Sequence, residues 1–284
     1  MLKFRTPDKV YFKKGCLPVA LNELKYELNK SRALIVTDSN LYRNGYLATL
    51  TELLSEMGIS YAVFSEIGEP SLSAVQKGAS MMRQQEPNVL IAFGGGSVID
   101  AAKAIKLLYK NPDVSIPALA KGETAFPQKQ GKAYFVAIST TSGKGSEVSP
   151  FAEIVDTNET HPLASYELLP DMAIIDADVM ATMPPELTAK TGIYALYNAI
   201  HANVSSLSTD YTEGLAERAI DLIFQYLPIA VKNGNDMVAR ERMASASVMA
   251  GMAFGNACLN AECGEIPPEL TEKVNALKKA VGLC

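Results

Sequence analysis

The chain has 284 residues, of which 48% are hydrophobic and 20% charged, so we expect a sizeable core and two globular parts. A formal net charge of −5 provides no electrostatic basis for binding nucleic acid and little attraction to anionic membrane surfaces. No apolar run approaches the roughly 20 residues that a membrane-spanning helix needs, which argues against an integral membrane protein.

Short β-branched segments alternate with helical patterns from residue 33 to about residue 176, which predicts a parallel sheet with helical crossovers. The predicted strands are continuously apolar, as expected of strands buried on both faces. Ser71 is the predicted N-cap of a helix with an apolar stripe at helical spacing, and residues 111–132 form a predicted loop. The predicted strands cover residues 33–37, 61–64, 89–93, 134–138 and 173–175.

The pattern changes after residue 183, where β-branched segments give way to helical ones. Helices are predicted to start near Thr209 and to cover residues 240–259 and 269–281. The segment 240–259 is dense in Ala, Met and Gly, which indicates a helix packed closely on every side. We therefore predict an α/β fold class with a Rossmann-like parallel-sheet domain over residues 1–182 and an all-helical domain over residues 183–284.

The strongest functional signal is a strand that runs into three glycines and then directly into a helix predicted to begin at Ser97. Glycines let the backbone approach a ligand closely, and the first N–H groups of a helix favour a diphosphate. A tight turn closed by a capping box between Ser97 and Asp100 explains the same residues without a ligand. The spacing differs from G-x-G-x-x-G. The glycines are Gly94, Gly95 and Gly96.

Polar residues also follow two other predicted strands, at the edge where open α/β sheets bind ligands. Asp38 is suited to contact an adenosine ribose and to repel a 2′-phosphate, although taken alone it favours a helix N-cap. Hydroxyls and glycine N–H groups alternate over residues 139–147, which include Thr140, Thr141 and Lys144. This segment suits a phosphate or ribose, but taken alone it is more typical of an ordinary polar loop.

In this order, three motifs resemble the iron-containing alcohol dehydrogenase family. They are the glycine turn with Asp100 and Lys103, the Thr-Thr-x-Gly-x-Gly-Ser-Glu run at 140–147, and Pro-Asp-Met-Ala-Ile-Ile-Asp at 170–176. Residues 4–21 are similar to the start of the alcohol dehydrogenase half of bifunctional aldehyde–alcohol dehydrogenases, and the similarity continues to about residue 260. The resemblance implies a dehydroquinate synthase-like architecture in which iron or zinc polarises an alcohol oxygen while hydride passes to NAD(P).

The resemblance also assigns roles within the first domain. Asp38 is expected at the adenosine ribose, which favours NAD over NADP, and the glycine turn is expected at the diphosphate. Lys144 stands where the family usually has threonine and is a candidate phosphate contact. Expected partners are a dinucleotide, a small alcohol or aldehyde, and a second copy of the chain. The candidate cofactor residues are Asp38, Gly94, Gly95, Gly96, Ser97, Asp100, Thr140, Thr141 and Lys144.

The family's metal ligands, one Asp and three His, are not matched. The resemblance aligns Tyr194 with the aspartate, Asn198 with the first histidine and Cys263 with the third ligand. No histidine follows His201, and several helices of a complete member are missing, so we expect a shortened, incomplete helical domain and doubt that iron or zinc binds. A site rebuilt from Asn198, His201 and Cys263 has too few good ligands for a firmly held ion.

Three functional hypotheses follow. The first is an NAD(P)-dependent alcohol or aldehyde oxidoreductase with a depleted metal site. The second is a catalytically silent cofactor-binding or assembly protein that keeps the fold. A related metal-dependent enzyme, such as a glycerol dehydrogenase or a dehydroquinate-synthase-like enzyme, is a third, and the missing ligands count equally against it. The shortened helical domain further predicts exposed apolar surface along residues 240–259, and self-association through it.

The cysteines and histidines carry weaker signals. Cys258 and Cys263 are near enough in sequence to bridge, but the absence of a secretion signal favours a cytoplasmic protein with reduced thiols. His201 is expected to be a partly exposed helix residue, and His161 a turn residue. The cysteines are Cys16, Cys258, Cys263 and Cys284.

Overall fold

The computed structural model describes residues 3–128, 131, 133–157, 159–259 and 261–283, so Cys284 lies outside the described residues. A parallel sheet of six strands has the order β1-β8-β5-β4-β2-β3, and β6 and β7 form a separate antiparallel pair. The strands are β1 Lys9–Phe12, β2 Arg32–Val36, β3 Ser60–Phe64, β4 Val89–Gly94, β5 Tyr134–Ser139, β6 Phe151–Asp156, β7 Glu159–Ala164 and β8 Met172–Ile175.

Helices cover both faces of the six-stranded sheet. Side chains of β4 alternate between two cores: Ile91 packs in the core with α1 and α3, and Leu90 packs in the core with α4 and α5. Burial on both faces explains the continuously apolar strands, and the predicted fold class is confirmed. The helices of this part are α1 Leu17–Tyr26, α2 Ser39–Arg43, α3 Ala48–Glu56, α4 Leu72–Gln85, α5 Gly96–Lys110 and α6 Ile116–Ala120.

Four helices follow the sheet and enclose a core of their own: α7 Pro185–Asn203, α8 Asp210–Lys232, α9 Met237–Ala257 and α10 Pro268–Ala280. Helix α8 begins near Thr209 as predicted, and Thr209 caps it in a reciprocal capping box with Thr212. Every residue of α9 is described, and its one exposed large hydrophobic side chain is Val238. The expectation of an exposed apolar surface along 240–259 is therefore wrong, because this helix is packed between α7, α8 and the sheet-bearing part.

The two parts meet in a small apolar core in which Ile175 and Met183 pack with Ala244 and Val248 of α9. The predicted domain boundary at residue 182 stays a prediction. None of the helices within the described ranges is long and apolar enough to cross a membrane.

Several local predictions need correction. Strand β1 and the β6–β7 hairpin were not predicted, since their sequences mix polar and apolar residues. His161 is a buried residue of β7 paired with Ile154, and the predicted turn is wrong. Helix α5 begins at Gly96, one residue before the predicted Ser97. The predicted loop 111–132 contains α6, and residues 129, 130 and 132 lie outside the described residues.

Two other predictions are confirmed. Ser71 caps α4, accepting a hydrogen bond from the backbone N–H of Ala74 at 3.3 Å. His201 lies in the last turn of α7 and is partly exposed.

Candidate cofactor cleft

The strand order reverses at β2, and this reversal determines where a ligand crevice is expected. β3 pairs with one edge of β2 and β4 with the other. In open parallel sheets, ligands bind at such a reversal, off the carboxyl ends of the strands. Asp38 follows the end of β2 and Gly95 follows the end of β4, so both stand at this crevice.

A cavity of about 840 Å³ opens at the crevice, a volume typical of cofactor and small-molecule sites. The helical part closes its far side with Met183, Leu187, Lys190, Thr191 and Tyr194. Gly94 and Asp100 are not among its lining residues. The predicted cofactor residues that line it are Asp38, Gly95, Gly96, Ser97, Thr140, Thr141 and Lys144.

The N-terminus of α5 faces this cavity. Gly95 is the N-cap, and no side chain caps the helix, so its first N–H groups and positive dipole end remain for a ligand. The predicted capping box between Ser97 and Asp100 does not form. A Cβ on Gly95 would lie 3.2 Å from Thr141 Cγ2, and the glycine thus lets the loop after β5 approach the helix terminus.

Asp38 serves as the N-cap of α2. Its Oδ1 accepts hydrogen bonds from the backbone N–H groups of Asn40 and Leu41, at 2.9 and 2.8 Å. The N-cap interpretation is therefore confirmed. Asp38 also lines the cavity, so capping and a contact to a ligand are compatible for the two oxygens of one carboxylate.

Lys144 is held by two carboxylates. Its Nζ lies 2.7 Å from Asp100 Oδ2 and also bonds Glu153 Oε2. Burial alone lowers the pKa of Lys144, but the two carboxylates outweigh burial and raise this pKa above its ordinary value. Asp100, predicted at the cofactor, lies instead beneath the loop with its side chain 1% exposed, because it is the partner of this ammonium.

A second buried lysine anchors the same loop. Lys103 Nζ donates to the carbonyl oxygens of Ser149 and Phe151, at 2.8 and 2.6 Å. Burial lowers the pKa of Lys103 to about 8, against the attraction of Asp100 and Glu147. Burial likewise raises the pKa of Glu147 to about 7. The side chain of Lys103 thus holds the end of the loop after β5 against α5.

The helical part holds the loop from above. Gly145 has φ +67°, and a Cβ there would lie 2.6 Å from Gly251 Cα of α9, so only glycine fits. Asn198 of α7, which is buried, donates from Nδ2 to the carbonyl oxygen of Lys144 at 3.2 Å. The loop that borders the cavity is therefore gripped by both parts of the molecule.

A second cavity of about 360 Å³ adjoins the first and was not predicted from the sequence. Both cavities share Leu41, Tyr46, Thr140 and Thr182 in their linings. The second also has apolar walls that include Leu50, Phe93 and Val179, which come from separate elements of the fold. The cavity could not be predicted from the sequence because its lining residues are far apart along the chain.

The positions aligned with metal ligands do not converge. Tyr194 lines the main cavity, Asn198 binds the backbone of Lys144, and Cys263 Sγ lies 3.7 Å from Cys258 Sγ beyond the end of α9. Burial raises the pKa of Tyr194, so its phenol stays protonated near neutral pH. Within the described ranges, no three His, Cys, Asp or Glu side chains group as a metal site requires. The residues aligned with metal ligands are therefore not gathered into a group of that kind.

Known protein families and solved structures match both the sheet-bearing part and the helical part of the chain. The family model described as iron-containing alcohol dehydrogenase matches residues 7–177, and the model of the family's C-terminal part matches residues 188–262. An aldehyde-alcohol dehydrogenase of Clostridium acetobutylicum is 46% identical over 270 residues, which are 91% of this chain and 31% of that protein. The bifunctional aldehyde-alcohol dehydrogenase of Escherichia coli is 43% identical over the same share of this chain and 30% of its own. The chain spans about a third of the length of these two relatives.

An NADPH-dependent butanol dehydrogenase of Clostridium saccharobutylicum is 39% identical over 91% of this chain and 66% of its own. Among solved structures, a sulfoacetaldehyde reductase from Bifidobacterium kashiwanohense in complex with NAD+ has a TM-score of 0.86 at 25% identity, covering 100% of this chain and 87% of its own. The iron-containing alcohol dehydrogenase of Thermococcus thioreducens has a TM-score of 0.82 at 30% identity, covering 91% and 68%. The chain belongs to the iron-containing alcohol dehydrogenase family.

Proposed function

We propose that the chain binds NAD(H), in preference to NADP(H), in the main cavity, as the cofactor-binding part of an alcohol or aldehyde oxidoreductase with a depleted metal site. The observation that carries this proposal is the uncapped N-terminus of α5 at the reversal of strand order. Such a terminus favours a diphosphate by roughly 0.3–1 kcal/mol through its dipole, in addition to hydrogen bonds from its N–H groups.

The two cavities suggest how the dinucleotide is oriented. Asp38 lines the main cavity, and the smaller, partly apolar cavity adjoins it through shared lining residues; they suit the ribose and flat base of the adenosine half. Thr191 and Tyr194 of α7 lie along the wall formed by the helical part, and they suit the nicotinamide half and a small substrate. In this orientation the diphosphate spans Gly95 to Ser97.

Asp38 carries the preference between NAD and NADP. The family names do not decide the question, because one relative is described as NADPH-dependent and another is solved with NAD+. A carboxylate at the ribose accepts a hydrogen bond from a 2′-hydroxyl and repels a 2′-phosphate. Lys144 offers little to offset that repulsion, because its ammonium is already held by Asp100 and Glu153.

A second candidate function is supported by the metal positions. If the chain holds no ion, the alcohol oxygen lacks the positive charge that polarises it in the family, and the chain is then a silent cofactor-binding or assembly protein. The bond from Asn198 to the backbone of Lys144 favours this alternative, since that amide already has a structural role. A cytoplasmic location and a homodimer stay predictions.

Three measurements on the purified chain test the proposal. Calorimetric titration with NADH and with NADPH should give tighter binding of NADH. Elemental analysis after dialysis should find less than one equivalent of iron or zinc, and ethanol with NAD+ should yield little NADH. Equal affinities refute the role of Asp38, absence of heat refutes the cofactor site, and a stoichiometric ion refutes the depleted metal site. Robust ethanol oxidation rejects the silent alternative.

A further inference from the structure

Two thiols face each other at the end of α9. Cys263 Sγ donates to Cys258 Sγ at a sulfur–sulfur distance of 3.7 Å, and neither is in a disulfide. Cys263 is exposed and Cys258 is half-buried, so one thiol of the pair is open to reagents in solution. A disulfide has a sulfur–sulfur distance of about 2.05 Å, so closing the bond requires the two sulfurs to approach by less than 2 Å.

Backbone hydrogen bonds hold both residues of the pair. The N–H of Cys258 donates to the carbonyl of Phe254 in the last turn of α9, at 2.9 Å. Cys263 forms an isolated bridge with Ser205, and the N–H of Gly264 donates to the carbonyl of Val204 at 2.8 Å. Ser205 in turn bonds the carbonyl of Ala257 through its hydroxyl. The thiol contact thus arises from an ordered junction between the ends of α7 and α9.

We propose that Cys258 and Cys263 are a modification site at which a hydroperoxide drives formation of a reversible intramolecular disulfide. The Cys263 sulfur attacks one peroxide oxygen, the O–O bond breaks, and water leaves together with the thiol proton, which produces a sulfenic acid. The Cys258 sulfur then attacks the Cys263 sulfur. The S–S bond forms, the S–O bond breaks, and a second water leaves with the Cys258 proton. Two thiols and one hydrogen peroxide thereby give one disulfide and two waters.

The pair closes a short loop between residues 258 and 263. A short loop removes little entropy from the unfolded chain, so the disulfide gains little stabilisation and stays open to reduction by a thiol or dithiol. The expected behaviour is that of a switchable bond.

A soft metal ion held by the two sulfurs is the competing explanation for the contact. Zinc in proteins has three or four good ligands, and within the described part of the chain these two thiols have no third His, Cys, Asp or Glu grouped with them. The disulfide is therefore the explanation that the geometry favours.

Peptide mapping of the full chain tests the proposal. Trypsin releases Cys258 and Cys263 together on residues 243–273, apart from the peptides that carry Cys16 and Cys284. After brief treatment with hydrogen peroxide and then iodoacetamide, we expect that peptide to lose both alkyl adducts and two hydrogens. Reduction with dithiothreitol before alkylation should restore both adducts. On a non-reducing gel, the oxidised chain should migrate as a monomer, because the disulfide forms within one chain.

Matched variants complete the test. Cys16→Ser should leave the loss of adducts unchanged, since Cys16 is remote in the fold and donates to the carbonyl of Ile175. Cys258→Ser should abolish disulfide formation and leave Cys263 as a sulfenic acid trapped by dimedone. Two adducts retained at full peroxide exposure overturn the proposal. Protection from alkylation that a chelator reverses, without loss of hydrogens, also overturns it in favour of a bound metal.

Discussion

The candidate cofactor cleft and the positions aligned with metal ligands differ in what they require of the sequence. The turn at the centre of the cleft depends on backbone, namely an uncapped helix terminus and close-packed glycines. A metal centre instead requires particular side chains that converge on one point. Substitution can therefore remove the second kind of site while the first keeps its geometry.

The substituted residues also contact one another. Asn198, at a metal position, donates to the backbone of Lys144, and Lys144, at the family's usual threonine, binds Asp100. Two of the expected departures from the family, Asn198 and Lys144, thus meet at a single loop. Their contacts hold that loop in place at the edge of the candidate cofactor cleft.

The largest effect is expected from Gly95→Val, which tests whether backbone forms the cleft. A Cβ at this position would lie 3.2 Å from Thr141 Cγ2, so the larger valine side chain should force the helix terminus and the loop after β5 apart. We expect the affinity for NADH and for NADPH, measured by calorimetry, to fall at least about 100-fold. The reason is that the side chain would prevent a dinucleotide from approaching the helix terminus closely.

Gly214→Ala is the matched control for this variant. Gly214 lies within α8, and a Cβ there meets no atom within 4 Å. Alanine should keep cofactor affinity and stabilise the helix slightly, by up to about 1 kcal/mol. If Gly95→Val binds NADH as the parent chain does, the dinucleotide does not lie at this turn.

The second prediction separates structure from phosphate binding at Lys144. Lys144→Met keeps the apolar stem but leaves the Asp100 carboxylate, 1% exposed, without its ammonium. We expect chemical denaturation to show a loss of about 2–3 kcal/mol in the free energy of unfolding, with the affinity for NADH changed less than about threefold. A large loss of affinity at unchanged stability would instead make Lys144 a phosphate ligand.

Lys190→Met controls for removal of a positive charge near the cavity. Lys190 also lines the cavity, but its side chain is 61% exposed and its ion pair with Glu186 is on the surface. Such pairs contribute little, so its free energy of unfolding should change by less than about 1 kcal/mol.

Features that depend on a local sequence pattern were predictable, whereas contacts between distant side chains were not. Strands β2, β4, β5 and β8 were predictable because both of their faces are buried, which gives continuous apolar runs. The edge strand β1 and the β6–β7 hairpin were not predicted, since their polar and apolar residues are mixed and several are only partly buried. The glycine turn was recognisable from local sequence alone.

The contacts of Lys144 were beyond such prediction. Asp100 lies 44 residues away in sequence, and Glu153 belongs to the unpredicted hairpin. Asp100 was therefore assigned to the cofactor from its place in a motif. In the structure it lies in α5, and its partner is Lys144 of the loop after β5. Local pattern identifies an element, but the pairing of buried charges depends on how distant elements pack.

The third prediction concerns the buried Glu147, whose pKa is raised by burial from 4.5 to about 7. Between these pH values the folded chain keeps a proton that the unfolded chain releases, so this group's contribution to stability falls as pH rises. Lys103 stays charged in both states over this range, because its lowered pKa is about 8.

Glu147→Gln removes this titration while keeping the shape of the side chain. Relative to the parent chain, its free energy of unfolding should increase by about 1–3 kcal/mol from pH 4.5 to pH 7 and then level off. Denaturation curves across this range measure the difference. A constant difference at all pH values would show that Glu147 has an ordinary pKa in the folded chain.

The smallest effect is expected at Asp38, where one carboxylate caps α2 and, in the proposed function, also selects the cofactor. Asp38→Ser keeps an N-cap acceptor and removes the charge, whereas Asp38→Gly removes both. The ratio of the NADPH to the NADH dissociation constant should fall about 5- to 10-fold in both variants, or about 1 kcal/mol, since the repulsion of the 2′-phosphate is lost in each. Only the glycine variant should also lose stability, because only it loses the cap. If the serine variant keeps the parent ratio, Asp38 acts through the cap alone, and the selection between the two cofactors lies elsewhere in the cleft.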